Sequence, residues 1–278
     1  MTNTIATRNA IAPLAVGFAL IVGAPSRAAA QASVEVSPLR VELQAAPGSS
    51  TTQGITLTNQ GKEAVRVRAT LTDWDLTRDG TPQFEGAEVG GRYSATAWVK
   101  IAPPEQLIEP GATATVRFNL ALPADLQHGG YRTGILFEFE PASRAVSARR
   151  EISFKSRIAT LIYVNIGTPP VATELVDVRV RPASAGVDVV ATVKNSGRRT
   201  VRTRGTLVLF DPSGAVASET AVPDVPLLPE SEREVTVPVT MSSASGTILA
   251  PGVYRAELKI DLGQAALIVG ETSVQIAR

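Results

Sequence analysis

The strongest constraint in this sequence is a period of two. Val65, Val67, Ala69 and Leu71 alternate with Arg66, Arg68 and Thr70. Ala114, Val116, Phe118, Leu120 and Leu122 alternate with Thr115, Arg117 and Asn119, and Tyr131, Thr133, Ile135, Phe137 and Phe139 form another set. Successive side chains of a strand point to opposite faces, so each run reads as a half-buried antiparallel strand. The runs are bounded by Asn59-Gln60-Gly61, Asp79-Gly80, Pro110-Gly111, Asn195-Ser196-Gly197 and Pro251-Gly252, which are turn signals. No helical period lasts beyond a turn or two. Many short strands separated this closely predict sandwiches or barrels.

The first run carries more information. Val34 and Val36 point one way, and after Pro38 the phase slips so that Leu39, Val41 and Leu43 carry the apolar face. A slip of one residue moves every side chain to the other face, and proline marks a bulge or an edge. The spacing predicts a first strand that changes sheets at Ser37-Pro38; two short edge strands around a turn are the alternative. A repeat is also present. Asn59-Gln60-Gly61 followed by Val65-Arg66-Val67-Arg68-Ala69-Thr70-Leu71 is matched by Asn195-Ser196-Gly197 followed by Val201-Arg202-Thr203-Arg204-Gly205-Thr206-Leu207, and Gly130-Tyr131-Arg132 is echoed by Tyr254-Arg255. Two copies of one architecture are expected, with the boundary near Gly167-Thr168-Pro169-Pro170. The expected division is 33–167 and 168–278, each large enough to bury a core.

Residues 1–32 read as a secretory leader. Arg8 supplies the charged start, Ala10 to Ala24 the apolar run, and Ala30-Gln31-Ala32 a cleavage site. The run is shorter than the roughly 18–20 residues that span a bilayer, and Pro13 and Gly17 interrupt it. An exported protein without stable membrane insertion is expected, and the leader leaves open whether it stops in a periplasm or continues outward. Without Arg8 and Arg27, the 27 basic residues fall to 25 against 26 acidic ones, so no basic excess remains for a nucleic-acid backbone. Cysteine is absent and there is one histidine, His128. Disulfides, thiolate metal sites and cysteine nucleophiles are excluded, as is a multi-histidine metal site within one chain. Neither an enzyme nor a cofactor is expected.

Several short stretches, in order, resemble the N-terminal domain of PapD-like periplasmic pilus chaperones. They are Ser37-Pro38-Leu39-Arg40-Val41, Val65 to Asp73-Trp74 with Asp79-Gly80, Val99-Lys100-Ile101-Ala102-Pro103 before Glu109-Pro110-Gly111, Val116-Arg117-Phe118 with Leu122-Pro123, and Arg157-Ile158-Ala159-Thr160-Leu161-Ile162-Tyr163. The resemblance implies an all-β chain of two immunoglobulin-like β-sandwiches. It also implies a non-enzymatic chaperone that binds a pilus, fimbrial or other β-rich envelope subunit by strand addition. In such a protein an exposed sheet edge takes a foreign strand, and alternate apolar side chains fill that strand's own core groove. Ile152 and Phe154 are the donor-like plugs here, with Ile158 downstream; alternatively these side chains complete the protein's own sandwich. Arg149-Arg150-Glu151 stands where the family continues its alternating hydrophobes. The family anchors the client's terminal carboxylate with an arginine and a lysine. Arg40 matches the arginine, and the lysine position falls at Ala159 beside Thr160; Arg157 or Lys155 are possible substitutes. The resemblance fades after about residue 168, leaving a structural tandem immunoglobulin-like module of an envelope complex as the alternative function.

Other candidates are weaker. His128-Gly129-Gly130 suggests an esterase oxyanion loop, but no G-x-S-x-G accompanies it, and a turn before a strand is expected. Trp74 and Trp98 end alternating runs and are expected in the core or at its rim rather than under a sugar. Asp73, Asp75 and Asp79 lack the distal glutamate of a calcium loop and are expected at a solvated hairpin end. Arg144, Arg149 and Arg150 read as a solvated loop or a partner-binding patch.

Overall fold

A computed structural model of the chain describes residues 34–84, 90–142, 155–184, 186–240 and 249–276. The expected leader, Ile152, Phe154 and the Arg144, Arg149 and Arg150 group lie outside the described residues. The first eleven strands are β1 (Val34–Ser37), β2 (Arg40–Ala45), β3 (Ser50–Asn59), β4 (Val65–Thr72), β5 (Asp75–Leu76), β6 (Pro82–Gln83), β7 (Val99–Ala102), β8 (Glu105–Ile108), β9 (Thr113–Ala121), β10 (Gly129–Pro141) and β11 (Ser156–Ile166). They form a four-stranded sheet, β1-β3-β9-β7, facing a five-stranded sheet, β2-β11-β10-β4-β8, with β5-β6 as a separate hairpin. The period of two is the reason. Ile55, Leu57, Val116, Phe118 and Leu120 point inward from one sheet, and Val67, Ala69, Ile135, Phe137, Phe139, Ile162 and Val164 from the other. Apolar faces of two sheets bury each other, which is the main favourable term in the fold. The only helical element among the described residues is a 3-10 turn at Thr96–Trp98.

The phase slip at Pro38 is a change of sheet. Val34 to Ser37 pair antiparallel with β3, and Arg40 to Ala45 pair in parallel with β11. Val41, Leu43 and Ala45 pack on the core after the crossing. Leu39 differs from expectation: it sits at the crossing, outside both strands, and is 54% exposed.

The remaining strands are β12 (Thr173–Ala183), β13 (Gly186–Asn195), β14 (Val201–Arg202), β15 (Arg204–Phe210), β16 (Val216–Ala221), β17 (Pro226–Leu227), β18 (Ser231–Thr240), β19 (Gly252–Asp261) and β20 (Ile268–Ile276). They build a second sandwich from β12-β13-β18 and β16-β15-β19-β20, with the short pair β14-β17, around a core of its own. The repeat in the sequence is a repeat of tertiary ties. Asn59 donates to the carbonyls of Glu63 and Ile108 and accepts from Gly61 N–H; Asn195 donates to Arg199 and Leu228 and accepts from Gly197 N–H. The Tyr131 hydroxyl donates to the Gln127 carbonyl and that of Tyr254 to Ala250, each at 2.8 Å. Each is a tyrosine corner, a device of immunoglobulin-like sandwiches.

The two sandwiches touch along the outer face of the five-stranded sheet. Trp74 packs edge-on against Tyr163 at 5.1 Å, and Leu228 of the second sandwich completes that cluster. Gly130 N–H donates to Arg198 O at 2.6 Å and Glu234 N–H to Arg78 O at 2.7 Å. Arg78 pairs with Glu232 and Glu234, and Arg92 with Glu230.

Candidate functional site

Strand β11 is the element that matters. On one side it is paired with β10 along its whole length, from Ser156 to Ile166. On the other side β2 begins only at Leu161. Among the described residues, Ser156–Thr160 therefore has a sheet neighbour on one side only. Leu161 N–H donates to Leu39 O at 2.9 Å. Backbone groups alternate sides along a strand, so Arg157 and Ala159 turn their N–H and C=O groups to the same open side. The crossing segment caps the stretch, because the Thr160 hydroxyl donates to Pro38 O at 2.9 Å.

Side chains along β11 divide by parity. Ile158, Thr160 and Ile162 face inward, and Ile158 is half-buried against the protein's own core. Lys155, Arg157, Ala159, Leu161 and Tyr163 take the outer face, which carries Arg40 and Glu42 through the register Leu161↔Arg40 and Tyr163↔Glu42. The two substitutes expected for the lysine are committed across the sheet: Arg157 pairs with Glu138, and Lys155 with both Glu138 and Glu140. These bonds, from Lys155 first, hold the Glu138 carboxyl below its ordinary range.

Arg40 stands at the end of the open stretch and is exposed, but it is not unpaired. Its Nε lies 3.3 Å from Glu42 Oε1. Arg202, from the second sandwich, brings Nη1 to 3.0 Å from the same oxygen. Arg202 is aimed by Asp224, accepting through its carboxylate at 2.5 Å and its carbonyl at 2.7 Å. The sequence reading missed Glu42 and Arg202. The repeat held a signal for the latter, since Arg202 occupies the place of Arg66, which itself pairs with Glu105 at 2.8 Å.

No protein-family model and no curated protein matches the chain. Solved structures do. Its fold is similar to that of PapD-like pilus chaperones. The class 5 fimbriae chaperone CfaA is 9% identical, with 86% of this chain and 99% of that one covered at a TM-score of 0.45. A structure of the Salmonella enterica SafA pilin with the SafB chaperone is 12% identical, covering 89% and 98% at 0.44. The Pseudomonas aeruginosa CupB2 chaperone is 15% identical, covering 87% and 100% at 0.39.

The remaining sequence candidates have structural roles. Asp73 is buried, not solvated: it accepts from Ser94 Oγ at 2.6 Å, Thr96 Oγ1 at 2.5 Å and Gly90 N–H at 2.8 Å. Burial pushes its pKa up, but these bonds and the nearby Arg132 outweigh it and hold the carboxyl below its ordinary range. Asp75 pairs with Arg132, and Asp79 accepts from Thr77 and Thr81 at the hairpin end. Trp74 is buried and donates to Thr133 O at 2.8 Å, while Trp98 packs partly buried against the first core. His128 lies in the turn before β10, as expected, and the glycines after it do more than turn. A Cβ on Gly130 would lie 2.6 Å from Thr200 Oγ1 and 2.7 Å from Thr200 N, so only glycine admits the second sandwich here.

Proposed function

We propose that the chain is a non-enzymatic, exported, chaperone-like protein of the periplasm. It binds a pilus, fimbrial or other β-rich envelope subunit by adding one of the subunit's strands to its own sheet. The observation that carries this reading is Ser156–Thr160, a stretch with a strand on one side and none on the other among the described residues. Unpaired N–H and C=O groups on such an edge are a template for a partner strand. The direction of that strand follows from charge. Strand β2 runs parallel to β11 and starts with Arg40 opposite Leu161. A foreign strand entering the same column in parallel ends with its C-terminus at Arg40, and an antiparallel one ends there with its amino terminus. A guanidinium favours the carboxylate. Ile152, Phe154 and Ile158 share one parity in the sequence, and the reading assigns them to the client's apolar groove. In this reading 1–32 are removed on export, 33–167 carry the edge, and 168–278 supply a second sandwich that buttresses it.

A second reading, a structural tandem module, is supported by one contact: Ile158 already packs on the protein's own core. Amide exchange separates the two. A chaperone exchanges the Arg157 and Ala159 amides freely when alone and protects them when bound to a subunit co-purified from the periplasm. Strong protection in the isolated protein sinks strand addition and leaves the tandem module. Phe154→Asp is expected to abolish rescue of a co-expressed subunit from aggregation, read as the soluble fraction.

A further inference from the structure

We propose that β20 pairs with β20 of a second copy of this chain, antiparallel and centred on Thr272, so that the second sandwiches of two copies share one continuous sheet. The inference is independent of strand addition at Ser156–Thr160, which lies in the first sandwich.

Apart from the short β14-β17 pair, the second sandwich has four edge strands among the described residues: β12, β18, β16 and β20. Three of them carry features that blunt an edge against pairing. Strand β12 has a bulge between Leu175 and Asp177, then Arg179, Arg181 and Pro182. Strand β18 contains Pro238. Strand β16 is six residues long, and a bulge breaks its pairing with β15. Strand β20 has none of these. It runs nine residues, Ile268–Ile276, in unbroken register with β19 and without proline. Its other side has no sheet neighbour among the described residues, and alternate residues of such a strand turn their N–H and C=O groups outward. Strand β12 packs on the inner face of β20, where a Cβ on Gly270 would lie 2.7 Å from Leu175 Cδ2, and forms no ladder with it. The margin is apolar as well: Val176 in the β12 bulge, Leu267 and Val269 are each more than half exposed.

The order of residues in β20 suits a second copy of itself. Glu271 is its single charge, and Arg255 of β19 reaches it at 3.0 Å. Two copies therefore meet without strong repulsion as long as the two Glu271 side chains are not directly opposed. Centring the pair on Thr272 meets that condition and uses the whole strand. It sets Glu271 opposite Ser273, Val269 opposite Gln275, and Thr272 opposite Thr272, a favourable cross-strand pair. Pairing about such a centre also keeps inner-face residues on the inner face, so the half-buried Ile268 of one copy comes beside the buried Ile276 of the other. The interface is isologous: each contact occurs twice, and assembly closes at two copies. An unrelated strand would find the same backbone groups but not this symmetric match.

Sedimentation equilibrium of the whole protein over a concentration series, with amide exchange on the same samples, tests the pairing. A reversible dimer is expected, with exchange across 268–276 slowing as concentration rises and the Arg157 and Ala159 amides unaffected. Two substitutions read the register, because Ser273 is exposed and would lie opposite Glu271 of the other copy. Ser273→Glu should weaken the dimer about fivefold and Ser273→Lys tighten it by a similar factor, since each opposed pair occurs twice. Val269→Glu is an independent check: Lys259 is its register neighbour within the sheet, so the fold tolerates the charge, and the dimer should weaken. A protein that stays monomeric throughout the series overturns the proposal. So does a dimer whose concentration-dependent protection falls on Arg157 and Ala159 instead of 268–276, or one that Ser273→Glu and Ser273→Lys affect equally.

Discussion

Single side chains tie this fold together at points far apart in sequence. Asn59 is fully buried and serves two carbonyls and one amide. Asn59→Ala leaves those groups without their partner inside the protein, where each unsatisfied polar group costs about 1–3 kcal/mol. A loss of about 2–4 kcal/mol is expected by urea denaturation, with a similar loss for Asn195→Ala. Asp73 adds a pH term. Its folded pKa lies below its ordinary value of 3.8, so the unfolded chain binds its proton first as pH falls. The stability it contributes is fully present well above 3.8 and is lost as pH drops through that value toward the folded pKa. Asp73→Asn should flatten the acid limb of stability against pH and lower stability at neutral pH. An unchanged acid limb would show that the Ser94 and Thr96 bonds do not favour the ionised form.

Strands were the most legible level. Alternation at 65–71, 114–122 and 131–139 maps onto β4, β9 and β10, and the slip at Pro38 onto the change of sheet. Such patterns are legible because burial on one face of a sheet is imposed every second residue. Polar partners are not. Glu42 and Arg202 are 160 positions apart, and no local period encodes their meeting. Asp73 looked like a solvated turn residue because the hydroxyls that bury it come from 94 and 96. Leu39 misled because the slip set the parity correctly but not the point where β2 begins. The edge itself offers a test that depends on backbone direction alone. Arg157→Pro removes an N–H that faces the open side, the position where a strand tolerates proline. It should cost little stability and block strand addition. Ile158→Pro removes an N–H directed at β10 and should cost at least about 1–3 kcal/mol. Equal destabilisation by the two, measured by thermal melting, would contradict the assignment of the open side.

At the scale of the whole molecule, the second sandwich is held by contacts that need bare backbone. Gly130 meets Thr200, and Gly80, at φ +89, meets Arg233 so closely that a Cβ would lie 2.0 Å from its Nη2. The Gly80 clash is with the end of a flexible side chain, whereas the Gly130 clash includes backbone. Gly130→Ala is therefore expected to separate the sandwiches and to cost about 1–3 kcal/mol, the usual scale of overpacking. Small-angle scattering should show the change in their arrangement; an unchanged profile would mean that the contact is not what sets it. The same displacement would carry Arg202 away from Glu42 and so couple the second sandwich to the edge.

The parallel pairing of β2 with β11 also has a consequence in time. It joins Arg40 to Leu161, near the start and the finish of the first sandwich. A chain delivered from its N-terminus presents β2 early and cannot give it a neighbour until β11 has followed. The pairing that bounds Ser156–Thr160 is thus completed late in the making of the first sandwich, so the edge on which the proposed function rests exists only once that sandwich is nearly whole.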